Sequence, residues 1–399
     1  MKELYKQVLL NEGKDKSIKR MHPWLFSGAI RTKDNKIEEG DIVIVYSSKN
    51  EFLGLGFYQN DTIAVKFLSF ENIEINQEFW NEKISKAIEY RKTLGFFDKK
   101  DSDIFRLINA EGDFLPGLIV DYYAGLLVVQ FHSVGMYHYR KEIVNALVSS
   151  LGEENIVAIF NKSSSTLPKK GKVFSKDEFL YKTAQTPWMA KENGNTYHID
   201  FSEGQKTGFF IDQRENRELL KSMSKGKNVL NAFGYTGGFS VAALKGEAKY
   251  VETLDISKKA IEICNQNVEM NFGEKAPHEA LAVDVLDYLD SIPEDKFDII
   301  VLDPPAFAKN IKSLQQGLKG YRTINQKAIE KVAKGGFIFT FSCSQAVSKE
   351  DFGTMLFASA ATTGRKVRII QRLPHAIDHP QSIYHPEGEY LKGILLYVE

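Results

Sequence analysis

The sequence predicts an α/β protein with a mostly parallel sheet in its C-terminal half, preceded by a small β-rich module and a mixed α/β region. From about residue 190 onward, short apolar strands alternate with helical segments, which is typical of a parallel sheet covered on both faces. Before residue 72, β-like runs follow one another with turn residues between them. The length of 399 residues favours two or three domains over one.

The first predicted domain covers residues 1–72. Residues 41–46 alternate in hydropathy, a Ser-Ser-Lys-Asn turn follows, and glycines punctuate the next run. This pattern indicates a small β-barrel or hairpin module.

The second predicted domain, residues 73–189, mixes helices and strands. An amphipathic helix is expected over 77–97 and another helix over 138–151. Between them, residues 106–131 resemble strands joined by tight turns.

The third predicted domain, residues 190–399, has a regular strand–helix rhythm. In such sheets ligands bind beyond the carboxyl ends of the strands, and unusual residues collect at those ends in this chain. The expected strands are NVLNAF (228–233), YVETLD (250–255), EALAVD (279–284), DIIVLD (298–303) and FIFTFS (337–342). The expected helices are 238–244, 258–271, 285–289 and 321–332.

Four successive strand ends carry a glycine-rich turn, an acid, a second acid and Asp-Pro-Pro. A glycine-rich turn lets the backbone approach a ligand, an acid about 20 residues on can bind ribose hydroxyls, and the next acid can accept from an adenine amino group. This order is expected of enzymes that use S-adenosylmethionine. The predicted cofactor residues from this pattern are Asn231, Phe233, Gly234, Tyr235, Thr236, Gly237, Gly238, Asp255, Asp284 and Asp303.

Each of these features is weak by itself, since an aspartate at a strand end is usually a helix cap. The glycine spacing does not give the G-x-G-x-x-G of a dinucleotide site, and no Gly-Lys-Ser/Thr follows as in a phosphate-binding loop.

The segment from Asp303 to Phe307 offers a carboxylate, backbone carbonyls and an aromatic ring to a planar base. Pro304, Pro305 and Phe307 are therefore the predicted base-binding residues. Enzymes that methylate exocyclic amines carry a similar device, so this segment indicates a base without selecting the atom.

Cys343 ends the fifth predicted strand. Carbon 5 of a pyrimidine is a poor nucleophile, but a thiolate that adds to carbon 6 makes carbon 5 reactive, and cysteine suits such covalent catalysis. Cys343 and Asp303 are the predicted catalytic residues, with Asp303 stabilising the charge that addition creates. Cys264 lies in a helical segment and is expected to be structural.

Composition limits the other possibilities. Two distant cysteines cannot make a zinc site alone, so no metal is expected. No apolar run is long enough to span a bilayer, and we expect a cytoplasmic protein with no membrane partner. Lys plus Arg equals Asp plus Glu at 52 each, yet basic residues concentrate in 1–36, 161–176 and 309–334, which suggests an RNA path.

Several segments together resemble one family, the bacterial 23S ribosomal RNA (cytosine-5-)-methyltransferases with an N-terminal PUA domain. The resemblance implies a PUA domain, a mixed α/β middle domain and a Rossmann-like class I methyltransferase domain. It also implies Cys343 as nucleophile and places Lys206, Gln213 and Arg214 near the cofactor. The matching segments are His22-Pro-Trp-Leu-Phe-Ser-Gly-Ala, Arg106-Leu-Ile, Leu115-Pro-Gly, Lys206 to Arg214, Tyr235-Thr-Gly-Gly-Phe, Asp303-Pro-Pro-Ala-Phe, Gly320-Tyr321, Thr340-Phe-Ser-Cys-Ser, His379-Pro and Pro386-Glu-Gly-Glu-Tyr-Leu-Lys-Gly.

One departure concerns the base that removes the carbon 5 proton. Related RNA cytosine methyltransferases often carry a second cysteine directly after the proline of the fourth-strand motif, and here that place holds no thiol. Asp303 or an ordered water are the alternatives.

The sequence is compatible with three functions. The leading hypothesis is formation of 5-methylcytosine in large-subunit ribosomal RNA, on a base that is unpaired or flipped from its stack. The second is methylation of a purine nitrogen, with Asp303-Pro-Pro-Ala-Phe binding the base and Cys343 incidental. The third is an RNA-binding assembly factor with a vestigial cofactor site. A homodimer is compatible with the sequence, and the oligomeric state is left open.

Overall fold

The computed structural model describes residues 5–168 and 173–399. The strands are β1 (Lys6–Leu10), β2 (Trp24–Phe26), β3 (Ile30–Lys33), β4 (Ile42–Tyr46), β5 (Phe52–Tyr58), β6 (Ile63–Ser69), β7 (Ile104–Asn109), β8 (Leu118–Tyr123), β9 (Leu126–Phe131), β10 (Ala158–Asn161), β11 (Glu178–Tyr181), β12 (Trp188–Glu192), β13 (Asn195–Ile199), β14 (Asn228–Ala232), β15 (Tyr250–Asp255), β16 (His278–Ala282), β17 (Phe297–Leu302), β18 (Val332–Ser342), β19 (Val367–Leu373) and β20 (Lys392–Val398). The helices are α1 (Lys16–Lys19), α2 (Gln77–Thr93), α3 (Val134–His138), α4 (Arg140–Leu151), α5 (Arg214–Met223), α6 (Gly238–Lys245), α7 (Lys258–Phe272), α8 (Val285–Ser291), α9 (Leu314–Lys331) and α10 (Lys349–Thr363).

The chain divides into two compact units. Unit 1 comprises Met1–Lys191, Ile199–Phe209 and Ile377–Gly388. Unit 2 comprises Glu192–His198, Phe210–Ala376 and Glu389–Glu399.

The N-terminal sheet of unit 1 has six strands in the order β2-β6-β5-β4-β1-β3. Its two edge strands, β2 and β3, are joined by a single 3-10 turn, Ser27–Ala29. Six flat strands would separate the edges by about 24 Å, whereas the four peptide units from Phe26 to Ile30 span at most about 14 Å. The sheet therefore curls on itself, as the barrel prediction requires.

The second sheet of unit 1 has the order β11-β10-β9-β8-β7, and its hydrophobic cluster also includes residues of barrel strands β4 and β5. Alternate residues of these strands, Val43, Val45 and Leu53, belong to the separate cluster of the barrel. One hydrophobic cluster contains Phe57 of β5, Trp80 and Ile84 of α2, and Val129 of β9. Helix α3 lies so close to β5 that a Cβ on Gly135 would be 2.3 Å from the Phe57 ring. This shared core explains why residues 1–72 and 73–189 form one compact unit. The three-domain division stays a prediction.

Unit 2 is built on a seven-stranded sheet in the order β16-β15-β14-β17-β18-β20-β19. Strands β14 to β18 are parallel, and β20 runs antiparallel to both β18 and β19. The strand order reverses between β14 and β17, which is the position where such sheets bind ligands. The carboxyl ends of β14, β15, β17 and β18 therefore meet at one edge.

The predicted α/β class with a mostly parallel sheet is confirmed, but several boundaries were wrong. Helix α9 begins at Leu314 rather than 321, β18 begins at Val332 rather than 337, and α2 ends at Thr93 rather than 97; helix α3, which precedes α4, was not predicted. Strands β19 and β20 were not predicted. β19 is an exposed edge strand without a buried face, and β20 is an apolar run whose pattern does not distinguish strand from helix.

Within the described residues, no helix is long and apolar enough to cross a membrane. The same residues contain no group of three or more His, Cys, Asp or Glu side chains placed to hold a metal ion.

Candidate functional site

The turn after β14 has a strained backbone held by hydrogen bonds. Phe233, Tyr235 and Gly237 all have positive φ values, of 60°, 47° and 81°. The Gly234 N–H donates to the Leu254 carbonyl and the Gly237 N–H to the Gly234 carbonyl, each at 2.8 Å. Positive φ costs about 1–3 kcal/mol per non-glycine residue and is typical of ligand-binding turns. The turn is therefore a preformed loop at the start of α6.

Both inner glycines of this turn are required by close packing. A Cβ on Gly234 would lie 2.4 Å from Thr253 Cγ2, and one on Gly237 would lie 2.5 Å from the Cys264 sulfur. Gly238 then begins α6. One side of the turn is thus packed against β15 and α7, and a ligand would approach its backbone from the other side.

A buried polar network supports the turn from inside the sheet. Asn231 donates through Nδ2 to Ser240 Oγ at 2.8 Å, and Ser240 is bonded to Thr253 Oγ1 at 2.6 Å. The Asn231 Oδ1 atom is buried and has no hydrogen-bond partner among the described residues. The buried Thr236 accepts through its carbonyl from Asn267 Nδ2 at 2.8 Å. These bonds fix the position of the turn relative to the sheet.

Asp255 ties the turn to the end of β15. Its Oδ2 accepts from the Tyr235 N–H and its Oδ1 from the Ser257 N–H, both at 2.9 Å. The next residue, Ile256, is 78% exposed and offers an apolar surface beside the carboxylate. Sequence reasoning missed Ile256, because a single apolar residue gives no pattern.

Asp284 has the capping role that is usual for such residues. Its Oδ1 accepts from the Leu286 and Asp287 N–H groups at 2.8 and 3.2 Å, at the N-terminus of α8. The side chain is exposed at the same sheet edge as Asp255. Capping fixes the carboxylate without burying it.

Gln213 links the segment before α5 to Asp303. Its Nε2 donates to Asp303 Oδ2 at 3.1 Å, while its Oε1 accepts from Asn216 Nδ2 at 2.6 Å. Arg214 is buried and lies 3.6 Å from a carboxylate oxygen of Glu192. Gln213 is thus brought to the site, whereas Arg214 faces a buried carboxylate. Lys206 belongs to unit 1, where its carbonyl accepts from Gln130.

The Asp303-Pro-Pro-Ala-Phe loop meets the end of β18. The Cys343 sulfur lies 3.9 Å from the Pro304 carbonyl oxygen. Ser344 donates through Oγ to the Ala308 carbonyl. The Cys343 side chain is half-buried, whereas Pro305 is exposed. The structure therefore brings together a reachable thiol and the predicted base-binding loop.

Helix α9 fits tightly beneath this loop. A Cβ on Gly317 would lie 2.6 Å from the Ala308 Cβ, and one on Gly320 would lie 3.0 Å from the Phe307 ring. Tyr321 is buried, its ring centroid lies 4.7 Å from that of Phe307, and its hydroxyl accepts from the Phe307 N–H at 3.4 Å. Burial raises the pKa of Tyr321 to about 12, so the hydroxyl is neutral. Sequence reasoning cited Tyr321 only for the resemblance and gave it no role.

Cys264 is more deeply buried than Cys343 and lies in a helix, away from the Asp303 loop. It is fully buried in α7, and its sulfur lies 3.8 Å from His278 Nε2. Burial raises the pKa of its thiol to about 12. Cys264 fills space beneath Gly237.

The three sequence segments rich in basic residues, 1–36, 161–176 and 309–334, differ in how their lysines are placed. In residues 1–36, Lys6 and Lys19 pair with acids of unit 1. In residues 161–176, three of the five lysines lie outside the described residues. In the third run, Lys309, Lys312 and Lys319 are exposed, and they follow or flank the Asp303 loop. This third run is the basic surface that the structure places on the same unit as the site.

A family model for S-adenosylmethionine-dependent methyltransferases matches residues 112–387, and a PUA-like domain model matches residues 8–70. Proteins named ribosomal RNA large subunit methyltransferase I are similar over nearly the full length. The one from Pseudoalteromonas translucida is 37% identical, covering 97% of this chain and 98% of that protein. The one from Alteromonas mediterranea is 35% identical, covering 98% of each.

Two solved structures share the fold. One, from Streptococcus mutans and assigned as a SAM-dependent methyltransferase, has a TM-score of 0.84 at 23% identity and covers 98% of this chain and 100% of that chain. Another, assigned as a methyltransferase and complexed with SAH, has a TM-score of 0.85 at 24% identity with the same coverage.

Proposed function

Because this chain belongs to the S-adenosylmethionine-dependent methyltransferase family, we propose that it methylates carbon 5 of a cytosine in large-subunit ribosomal RNA. The ribosomal RNA substrate is supported by its relatives, which are named as methyltransferases of large-subunit ribosomal RNA. The choice of carbon 5 is supported by one observation, the half-buried Cys343 thiol 3.9 Å from the Pro304 carbonyl.

The residues of the preformed turn fit S-adenosylmethionine. The strained backbone after β14, the packing that only glycine allows at Gly234 and Gly237, and the Asp255 carboxylate form a cradle at the strand edge. Asp255 suits the ribose hydroxyls, and the exposed Ile256 and Asp284 suit the face and edge of the adenine. When bound, S-adenosylmethionine supplies an electrophilic methyl group on a sulfonium centre.

Cys343 supplies the nucleophile that activates the base. Its thiolate adds to carbon 6, and the electron pair of the 5,6 double bond moves toward carbon 5, which becomes nucleophilic. After methylation a base removes the carbon 5 proton, the double bond re-forms, and the carbon 6–sulfur bond breaks with return of the thiolate. The target base reaches the thiol in an unpaired or flipped state, because carbon 6 is attacked from its face.

Asp303 is positioned for the electrostatic part of the reaction. Gln213 holds its Oδ2, so the carboxyl group has a fixed direction at the loop where Cys343 lies. Held at the ring nitrogen, the protonated carboxyl group gives its proton to the nitrogen as thiolate addition creates negative charge on the ring, and takes the proton back when the carbon 6–sulfur bond breaks. We assign Asp303 to the ring nitrogen edge of the base. Pro304, Pro305 and Phe307 are proposed to contact the rest of the base.

The PUA-like module of unit 1 is proposed to bind RNA outside the reacting base. This role accounts for a second compact unit with hydrophobic clusters of its own. The exposed lysines near the Asp303 loop are proposed to contact phosphates.

The mechanism is tested by trapping. RNA that contains 5-fluorocytidine at the target position retains fluorine where the proton must leave, so the adduct accumulates after methylation. We expect a covalent protein–RNA product whose modified peptide contains Cys343, with the Cys264 peptide unmodified as an internal control. No adduct, together with label from S-adenosylmethionine in a purine, would replace this proposal with purine methylation through Asp303-Pro-Pro-Ala-Phe.

A further inference from the structure

A buried lysine lies beside the proposed nucleophile. Lys392 begins β20, and its Cα is paired in register with Ser342, the residue before Cys343. The residue is only 6% exposed. Its Nζ donates to the carbonyl of Ser344, the residue after Cys343, and to the Tyr390 carbonyl at 2.7 Å. The amino group is thus fixed to the backbone on the carboxyl side of Cys343.

The charged and the neutral amine of Lys392 differ in how many N–H groups remain once these two hydrogen bonds are made. A neutral amine has two N–H donors, and both are used by the carbonyls, whereas an ammonium has a third. The Cys343 thiolate interacts electrostatically with Lys392 and favours its charged form. The third donor of the ammonium therefore has an anion to stabilise when Cys343 is ionised.

The other charged and titratable groups near the pair do not replace Lys392. On the Cys343 side, Tyr321 interacts with both Cys343 and Asp303, and its own proton is retained up to about pH 12. On the Lys392 side, Glu389 favours the charged amine. Lys349 and Arg372 line the same cavity of about 150 Å³ as Lys392, and Lys349 is paired with Glu389 at 2.7 Å.

We propose that Lys392 is a positioning residue for the reaction, whose buried ammonium holds Cys343 as a thiolate before it adds to the base. This inference rests on the proposed nucleophilic role of Cys343. The proton balance is simple: the Cys343 S–H bond breaks, its proton leaves to solvent, and the thiolate remains beside the Lys392 ammonium. On expulsion from carbon 6 the same ammonium stabilises the leaving thiolate.

Burial lowers the pKa of Lys392 to about 8, which limits the pH range of this effect. Below about pH 8 the amine is charged and favours the thiolate. Above it the charge is lost, and the thiolate forms without assistance in the alkaline range. Loss of the Lys392 amine should therefore change the reactivity of the Cys343 thiol at neutral pH and leave it unchanged at alkaline pH.

The test measures the thiol of the full-length protein without RNA or cofactor. Iodoacetamide alkylation of the Cys343 peptide is followed by mass spectrometry across pH for wild type, Lys392→Met and Lys392→Arg. We expect Lys392→Met to slow alkylation about tenfold at neutral pH and to match wild type at alkaline pH, a shift of about one pKa unit. Lys392→Arg, which keeps the charge, should restore the neutral rate.

Identical alkylation profiles for wild type and Lys392→Met would overturn the proposal, as would equal slowing in the Met and Arg variants. If Lys392→Met does not fold, the ultraviolet absorbance of the thiolate in wild type provides the answer. Thiolate absorbance present at neutral pH supports the ion pair, and its appearance only above the ordinary thiol range of about 8.5 contradicts it. A shifted thiol profile combined with an enzyme that forms no 5-methylcytosine would leave Lys392 assigned and the proposed function wrong.

Discussion

The two cysteines of this chain lie in two different regions of unit 2, one in a helix and one at the end of a strand, and they differ in burial and in neighbouring groups. Cys264 is fully buried in α7 under the glycine turn, where burial raises the pKa of its thiol to about 12. Cys343 is half-buried at the end of β18, beside the Pro304 carbonyl and the buried amine of Lys392. The first cysteine packs against the glycine turn, and the second lies beside the loop that we propose to bind the base.

This difference shows that residue type alone does not determine whether a thiol is reactive. Cys264 lies inside helix α7 and packs under the glycine turn, whereas Cys343 directly follows the carboxyl end of β18. The element and the place in it separate the two cysteines, since ligands of such sheets bind at the carboxyl ends of the strands. The following predictions test whether the two regions are as distinct as this account requires.

The largest expected difference is in thiol reactivity. A thiol with a pKa of about 12 carries a thiolate fraction at pH 8 roughly 1000 times smaller than an ordinary thiol. We expect Cys343 to be alkylated at least about 1000 times faster than Cys264 in the native protein at that pH. Peptide mapping after timed quenching measures both rates in one sample, and unfolding in urea should remove the difference. Equal native rates would mean that the two regions are not distinct.

Asp255 should be the carboxylate on which cofactor binding depends most. It accepts from one backbone N–H group of the turn, that of Tyr235, and from the Ser257 N–H at the start of α7, and hydrogen bonds to a charged acceptor contribute about 1.5–3 kcal/mol. Asp255→Asn should weaken S-adenosylmethionine binding by about 10- to 100-fold in calorimetry. Asp284→Asn is the matched control, since asparagine also caps helices well; its affinity should fall less. A larger loss of affinity in Asp284→Asn than in Asp255→Asn would place the cofactor nearer the end of β16.

Gly237 and Gly273 form a matched pair for stability. Both have positive φ, of 81° and 78°, but a Cβ would lie 2.5 Å from the Cys264 sulfur at Gly237 and would meet nothing within 4 Å at Gly273. Gly237→Ala should cost about 3 kcal/mol in urea unfolding, from overpacking and backbone strain. Gly273→Ala should cost about 1 kcal/mol, from strain alone. Equal losses would show that Cys264 does not limit the space beneath the turn.

Tyr321 should have the smallest effect. Tyr321→Phe keeps the buried ring against Phe307 and removes only the hydroxyl that accepts from the Phe307 N–H. We expect turnover to fall by up to about tenfold, in line with loss of one hydrogen bond worth about 1 kcal/mol, and S-adenosylmethionine affinity to be unchanged. A larger loss in cofactor binding than in turnover would move the role of Tyr321 from the base loop to the cofactor turn.

The sequence predicted the parts of the fold that follow a periodic pattern. Strands β14 to β18 contain apolar runs between helices, and the glycine turn and the acids follow their ends, so the sequence could predict at which edge of the sheet a cofactor site would lie. The exposed edge strand β19 has no such pattern, and β20 was not distinguishable from a helix.

Contacts between segments distant in the chain were not predictable either. Gln213 reaches Asp303 across 90 positions, and the resemblance placed it near the cofactor without this bond. Lys392 lies 48 positions from the Ser344 carbonyl that it binds. A lone lysine in an apolar strand gives no signal in the sequence, because its importance depends on antiparallel register with β18. The shared core of the first two predicted domains was missed for the same reason.

The central claim is tested most directly by product analysis. Large-subunit ribosomal RNA from cells lacking this protein is incubated with labelled S-adenosylmethionine and either wild-type or Cys343→Ala enzyme, with cofactor binding of both measured by calorimetry as a folding control. We predict labelled 5-methylcytosine with wild type and none with Cys343→Ala, which should still bind cofactor. Label in a methylated purine, undiminished in the variant, would contradict the account and leave Cys343 outside the chemistry.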